Sequence, residues 1–286
     1  MARKKLEFKL DINADATSLN TFSTEGCFDL SFVENNNAPI DSCFEKIEQL
    51  NLIHTQYSLY PGSVINMSTT YNLILLGYIS AIESYIREII RKTIIIDKIS
   101  RISCELEEIN YGAAINYPKH LLPEVILEKA SFASKKNIID SFKKFLGLEG
   151  NQPDELINTL NEFEKICHLR HCIVHRFGKL GSKNAIQFGL DDHSGLIEKP
   201  LKLDINMVYE LSIICSNTVL VVNKHLFNKI LERTCSKTNC SWTWDLRKDK
   251  SKFEKYYNLY NSTRKPHVNA TLNNSYSEMK KYFHSF

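Results

Sequence analysis

The chain has 286 residues, and its hydrophobic share of 43% and aromatic share of 10% exclude a globally disordered protein. Ten glycines and seven prolines are few for this length, which disfavours a loop-rich sandwich or barrel. The net charge of +3 permits an anionic partner but does not require one.

The eight cysteines are expected to be reduced thiols. The first residues, "MARKKLEFKLD", lack the apolar core of a secretion signal, and thiols stay reduced in the cytosol. The sequence contains no run of about 18 apolar residues, the length that would predict a membrane span. The longest apolar stretch, 211–222, contains polar residues and is typical of a buried helix. We therefore expect a cytoplasmic protein with no membrane partner.

Short strands are predicted near the N-terminus. Residues 5–11 and 27–33 alternate polar and apolar side chains, which is the pattern of a half-buried strand. The polar segment "ENNNAP" (34–39) separates them from the rest of the chain. Residues 1–40 are therefore expected to form a β-containing segment that precedes the main domain.

Apolar residues then recur every three to four positions, the pattern of helices that bury one face. Asp41 is a suitable N-cap for the first helix. Further helices are predicted for residues 70–98, 123–146, 153–177 and 204–233. Residues 185–190 ("AIQFGL") are instead predicted to be a strand, in a small β insertion near 185–203. The sequence therefore predicts a mainly α protein whose helical domain spans 41–235.

The last segment, residues 236–286, is a basic and aromatic C-terminal extension. Its tryptophans, tyrosines and lysines favour a helix that docks its aromatic side chains on the helical domain. The alternative is that they follow a nucleic-acid backbone and stack on its bases.

The most informative stretch is "HLRHCIVHRFG" (168–178), at the end of the helix predicted from residue 153. Arg170 and His175 form an Arg-x4-His pair, in which polar His171 follows the arginine. This motif and its helical context resemble the signature of the HEPN superfamily, a helical-bundle group in which the motif marks metal-independent ribonucleases. The resemblance covers roughly residues 41–235, and it implies an endoribonuclease that acts on RNA in defence or stress.

The chemistry of the pair suits RNA cleavage through the 2′-hydroxyl. Histidine titrates near neutral pH, so His175 can serve as general acid or base. Arginine stays charged and offers a planar fork that matches phosphate oxygens, so Arg170 suits stabilisation of the phosphorane. Neither a metal ion nor a cofactor is expected to be required.

Five residues along an ideal helix correspond to about 140° of rotation, so Arg170 and His175 do not share a face unless the helix ends between them. The resemblance implies a site assembled from two motifs across a homodimer. His171 is expected to orient or assist. Glu83, on an earlier helix, is a candidate ion-pair partner of Arg170, although pairing with Arg87 at i,i+4 is favoured over a role in the active site.

Two basic residues after the motif are candidate substrate contacts. Arg176 and Lys179 are expected to touch RNA phosphates, although Arg176 also suits the C-terminal end of a helix dipole. Some family members are toxins whose partner modifies a tyrosine two residues beyond the motif histidine. Phe177 occupies that position here, so this control mechanism is not carried over. An antitoxin or another defence-system protein stays open as a partner.

Two other functions fit the same residues. His168, His171, Cys172 and His175 recur at i, i+3, i+4 and i+7, so imidazole and thiolate ligands on one helix face are an alternative metal site. One straight helix rarely surrounds a tetrahedral ion, which disfavours that alternative. The chain is also compatible with a non-catalytic module that keeps the bundle for dimerisation and binds RNA or protein.

Overall fold

The computed structural model describes residues 21–58, 67–235, 240–264 and 271–284. The chain divides into two compact units, Met1–Asn36 and Asn37–Phe286. All the helices discussed below belong to the second unit.

The described part of the first unit contains one 3₁₀ turn, Glu25–Cys27, and no strand. The strand predicted over 27–33 is therefore wrong, and the one predicted over 5–11 lies outside the described residues. Asp29 accepts hydrogen bonds from the backbone N–H and the hydroxyl of Ser31, a local turn that competes with extended pairing. Phe28 and Leu30 are both exposed, so the alternating apolar residues bury neither face.

The described residues of the second unit form twelve α-helices and no strand. In chain order these are α1 (Pro39–Ser58), α2 (Met67–Ile96), α3 (Lys98–Ser103), α4 (Tyr111–Asn116), α5 (Leu122–Leu127), α6 (Lys135–Leu146), α7 (Asp154–Arg176), α8 (Ser182–Phe188), α9 (Leu190–His193), α10 (Ile205–Thr234), α11 (Leu246–Tyr260) and α12 (Leu272–His284). The predicted mainly α class is confirmed, as are the long helices predicted over 70–98 and 204–233, within a few residues at each end.

The single helix predicted over 123–146 is wrong, because residues 128–134 separate α5 from α6. Polar side chains of α2 form hydrogen bonds with the backbone of this break. The guanidinium of Arg87 donates to the carbonyl oxygens of Leu127 and Ala130, and the Glu83 carboxylate accepts from the backbone N–H of Phe132. Tertiary hydrogen bonds that no local pattern encodes therefore satisfy the backbone groups freed by the break.

Two 30-residue helices, α2 and α10, form the centre of the fold. Helix α2 packs against α1, α3, α5, α6, α7, α10 and α11, and its tyrosines and its isoleucines up to Ile94 are buried. Among the described residues α10 is the one helix long and apolar enough to cross a membrane. Helix α10 packs against α1, α2 and α7.

The strand predicted over 185–190 is wrong as well, since residues 182–188 form α8. Helix α8 turns its small and polar residues inward: Ala185 is buried, and the Asn184 amide donates to the Cys172 sulfur at 3.0 Å. The β pairing found in this part of the described chain is a single antiparallel bridge between Lys179 and Pro200. It ties the exit of α7 to the segment that enters α10.

Helices α11 and α12 and the segment before them bury five aromatic residues in the core, whereas Tyr282 of α12 is exposed. Buried there are Trp242, Phe253, Tyr256, Tyr260 and Tyr276. The rings of Trp242 and Phe253 lie 6.2 Å apart, edge to face, and the ammonium of Lys252 lies 3.9 Å from the Trp242 ring centroid. Side chains packed in this way cannot stack on nucleic-acid bases.

Candidate functional site

The last turn of α7 carries the Arg-x4-His motif, and the way the helix ends fixes its position. Phe177 has a left-handed backbone conformation with φ 51°, and its N–H and that of Gly178 both donate to the carbonyl oxygen of Cys172. Two consecutive residues with positive φ turn the chain sharply away from the helix axis. The motif residues therefore sit on an intact helix up to Arg176, with an abrupt exit directly after it.

Arg170 lies on the side of α7 that faces α2. Its guanidinium is 4.0 Å from the carboxylate of Glu83, and the exposed fractions of these side chains are 36% and 25%. The ion pair predicted between these two residues is confirmed. The Glu83–Arg87 pairing that the sequence favoured is wrong, because Arg87 pairs with Glu124 and donates to backbone carbonyls. The Glu83 carboxylate therefore lies beside a partly exposed guanidinium.

His171 and His175 form a pair of accessible imidazoles on the neighbouring face. Their ring centroids are 4.4 Å apart with an interplanar angle of 50°. Partial desolvation and then the positive potential of His175 lower the pKa of His171 below 6.5. His171 is therefore held neutral at physiological pH, where it can accept a proton or a hydrogen bond.

The structure does not bring Arg170 and His175 together within one chain. Helix α7 runs unbroken through both residues, so their side chains leave the helix about 140° apart. Arg170 is grouped with Glu83 on one face, and His171 with His175 on the next. A single copy thus presents two half-sites side by side.

The two predicted substrate contacts, Arg176 and Lys179, differ in whether their charged groups already have a partner in the structure. Arg176 is ion-paired with Glu198, and its guanidinium packs so closely on Gly181 that a Cβ there would lie 2.9 Å from Nη1. Lys179 has an exposed side chain, while its backbone is held in the bridge to Pro200. Lys179 is therefore the more available cation for an RNA phosphate.

Two exposed apolar residues beside the motif were not predicted as functional. The neighbouring apolar residues Ile173 and Val174 differ, because Ile173 is buried and Val174 is 50% exposed. Phe177 is 84% exposed. The sequence contained one indication of this. Phe177 stands directly before Gly178, at the end of a helix, where the chain favours glycine or asparagine over an aromatic residue.

The four residues of the alternative metal site are not arranged as ligands. Cys172 is buried and accepts from Asn184, and the ring of His168 packs edge-on against Phe188 at 5.8 Å. Within the described parts of the chain, no three His, Cys, Asp or Glu side chains are grouped so that they could hold a metal ion. The single-face spacing in the sequence therefore does not produce a ligand set.

The sequence matches no protein-family model, and no curated protein or solved structure is significantly similar to it. The chain's own residues therefore carry the functional assignment.

Proposed function

We propose that the protein is a metal-independent endoribonuclease of the HEPN type, with Arg170 and His175 as its catalytic residues. The observation that carries the proposal is the end of α7, where an accessible imidazole pair lies beside a guanidinium paired with Glu83. Exposed imidazoles next to a guanidinium supply the proton-transfer groups and the cation that phosphodiester cleavage requires.

In the proposed reaction the RNA supplies its own nucleophile. A histidine takes the proton of the 2′-hydroxyl, and the oxygen attacks phosphorus. The bond from phosphorus to the 5′-oxygen then breaks, and a protonated imidazole gives that leaving oxygen its proton. His175 is the general acid or base, and neutral His171 holds or exchanges the proton with it. Arg170 stabilises the negative charge of the phosphorane. The products are a 2′,3′-cyclic phosphate and a 5′-hydroxyl.

The site is proposed to be shared between two copies. Because Arg170 and His175 leave α7 about 140° apart, one phosphate reaches both only if they come from different chains. Two α7 ends that face each other across a twofold axis place the arginine of one copy near the histidine of its partner. Val174 supports this arrangement, because a half-exposed valine beside the motif is suited to contact between the copies.

Phe177 and Lys179 are the proposed substrate contacts. The Phe177 ring is 84% exposed two residues from His175, and an exposed aromatic ring can stack on the base next to the cleaved phosphate. Lys179, an exposed residue just after the end of α7, is suited to a neighbouring phosphate.

The decisive experiment is cleavage of a fluorescent single-stranded RNA in EDTA. The wild-type protein should cleave it and leave 2′,3′-cyclic ends, whereas Arg170→Ala and His175→Ala should lose activity with unchanged circular dichroism. His120→Ala, an exposed histidine on a different part of the fold, is the matched control and should keep full activity. Full activity in either motif variant, or loss of wild-type activity on chelation, would remove the proposal.

A second candidate is a non-catalytic module that uses the same helices to dimerise and to bind RNA or protein. The separation of Arg170 from His175 within one chain favours it. An RNA complex that weakens steeply with salt, without any cleavage, would select this function. The setting we propose for either function, the cytoplasm and a defence or stress response that involves an antitoxin or another partner, rests on the family resemblance.

A further inference from the structure

A cavity of about 580 Å³ lies along the flank of α7 that faces α8, α9 and α10. Leu169 and Cys172 of α7 form one wall, and Cys172 leaves the helix about 160° from Arg170. The segment after the motif, the helices α8 and α9, and the first half of α10 complete it. None of the proposed catalytic residues lines the cavity, although both sites share α7.

The interior of the cavity is apolar. Its floor includes Ile166, Leu211 and Ile214, and one side is aromatic, since the rings of Phe188 and His193 lie 5.4 Å apart. Pockets that hold small molecules have volumes of about 300–1,000 Å³ and mainly apolar walls with a few polar groups. Both the size and the lining thus fit a small molecule with an apolar body.

The charged groups around the cavity are mostly basic. Lys199 and Lys202 line it, and neither forms an ion pair with any residue that the structure describes. The acidic residue of the lining, Glu162, is neutralised by Lys165 at 2.7 Å. Two exposed lysines without an ion-pair partner among the described residues, both lining an apolar cavity, favour an anionic group on whatever fills it.

We propose that this cavity binds a small amphipathic anion, whose apolar body lies against Ile214 and Phe188 and whose anionic group contacts Lys199 and Lys202. The anionic group is a carboxylate or a phosphate, and the apolar body is an acyl chain or an aromatic ring. Binding does not depend on the nuclease activity, so it can be tested on its own.

The probe is 1-anilinonaphthalene-8-sulfonate, which combines aromatic rings with a fixed anion and fluoresces when it leaves water. The full-length protein should bind one equivalent. Decanoate or AMP should displace the probe, and whichever of them does so identifies an acyl carboxylate or a nucleotide phosphate as the ligand chemistry. Absence of binding, or displacement by neither compound, would overturn the proposal.

Two variants locate the bound probe. Lys199→Ala/Lys202→Ala should weaken binding at least about tenfold, since charge-assisted contacts to the anion are lost. The matched control, Lys248→Ala/Lys250→Ala, removes the same charge from the exposed surface of α11 and should leave the affinity unchanged. Ile214→Trp, which fills the cavity, should abolish binding if its melting curve shows a folded protein. Equal affinity in the lysine variant and its control would refute the assignment even if the tryptophan variant does not fold.

Discussion

Replacing Phe177 with glycine should stabilise the fold and weaken RNA cleavage at the same time. The backbone at Phe177 has φ 51°, a conformation that costs an L-residue about 1–2 kcal/mol and glycine almost nothing. The ring is 84% exposed, so its removal forfeits only a small part of the about 1.5–3 kcal/mol that full burial contributes. Glycine has more conformational freedom in the unfolded chain, which offsets about 0.5–1 kcal/mol of the stability gained at the backbone.

Together these effects should raise the free energy of unfolding of Phe177→Gly by about 0.5 kcal/mol. Phe177→Ala is the sharper comparison, because both variants lose the ring and only alanine keeps the backbone cost. It should be less stable than the glycine variant by about 1 kcal/mol. Urea unfolding of the three proteins measures both differences through the transition midpoints at equal slope.

Cleavage should respond differently from stability. If the ring stacks on a base, both variants lose about 1–3 kcal/mol of substrate interaction, and their cleavage rates at limiting RNA fall by similar factors. A glycine variant less stable than the alanine variant would refute the backbone argument. Unchanged cleavage in both would show that the Phe177 ring does not contact RNA.

Three further substitutions test the interactions around the site and in the core. Glu83→Gln should reduce cleavage while unfolding free energy changes by less than about 1 kcal/mol, because its pair with Arg170 is partly exposed; a larger stability loss in urea would contradict this. Arg233→Met leaves the buried Asp97 carboxylate without its guanidinium and should cost about 3 kcal/mol, and an unchanged urea midpoint would refute it. Burial lowers the pKa of His225 below 6.5, so the unfolded chain binds more protons and stability should rise with pH up to about 6.5. His225→Gln should flatten that rise in urea midpoints measured from about pH 5 to about pH 7, and an unchanged slope would count against it.

The helices could be predicted where buried residues recur with the helical period. The strand predictions were wrong where the apolar residues of the pattern are not buried. In α2 the tyrosines at 71, 78 and 85 recur on one face and are all buried. Alternation over 27–33 says only that one face could be buried, and nothing in the described residues covers Phe28 or Leu30. Local pattern thus identifies an element only when tertiary structure supplies the partner for its apolar face.

The same limit applies to the site. The Arg170–Glu83 pair could be predicted because both residues lie on long, regular helices. The exposure of Phe177 could not, since it depends on where the chain turns after α7. The cavity beside α7 was also beyond prediction, because its walls come from separate segments, and part of one, 185–190, was assigned to a strand instead of a helix.

Mixing two inactive variants tests the shared site directly. If each site takes Arg170 from one copy and His175 from the other, a dimer of one Arg170→Ala chain and one His175→Ala chain has one intact site and one doubly defective site. Random exchange at equal concentrations makes half of the dimers mixed, so about a quarter of wild-type activity should return. A site built within one chain predicts no recovery, because every copy then lacks one catalytic group. A cleavage assay after unfolding and refolding the two variants together, beside each refolded alone, separates these outcomes. The two-copy site is expected because Arg170 and His175 leave α7 in different directions. An inactive mixture whose exchange is verified by native mass spectrometry would refute it.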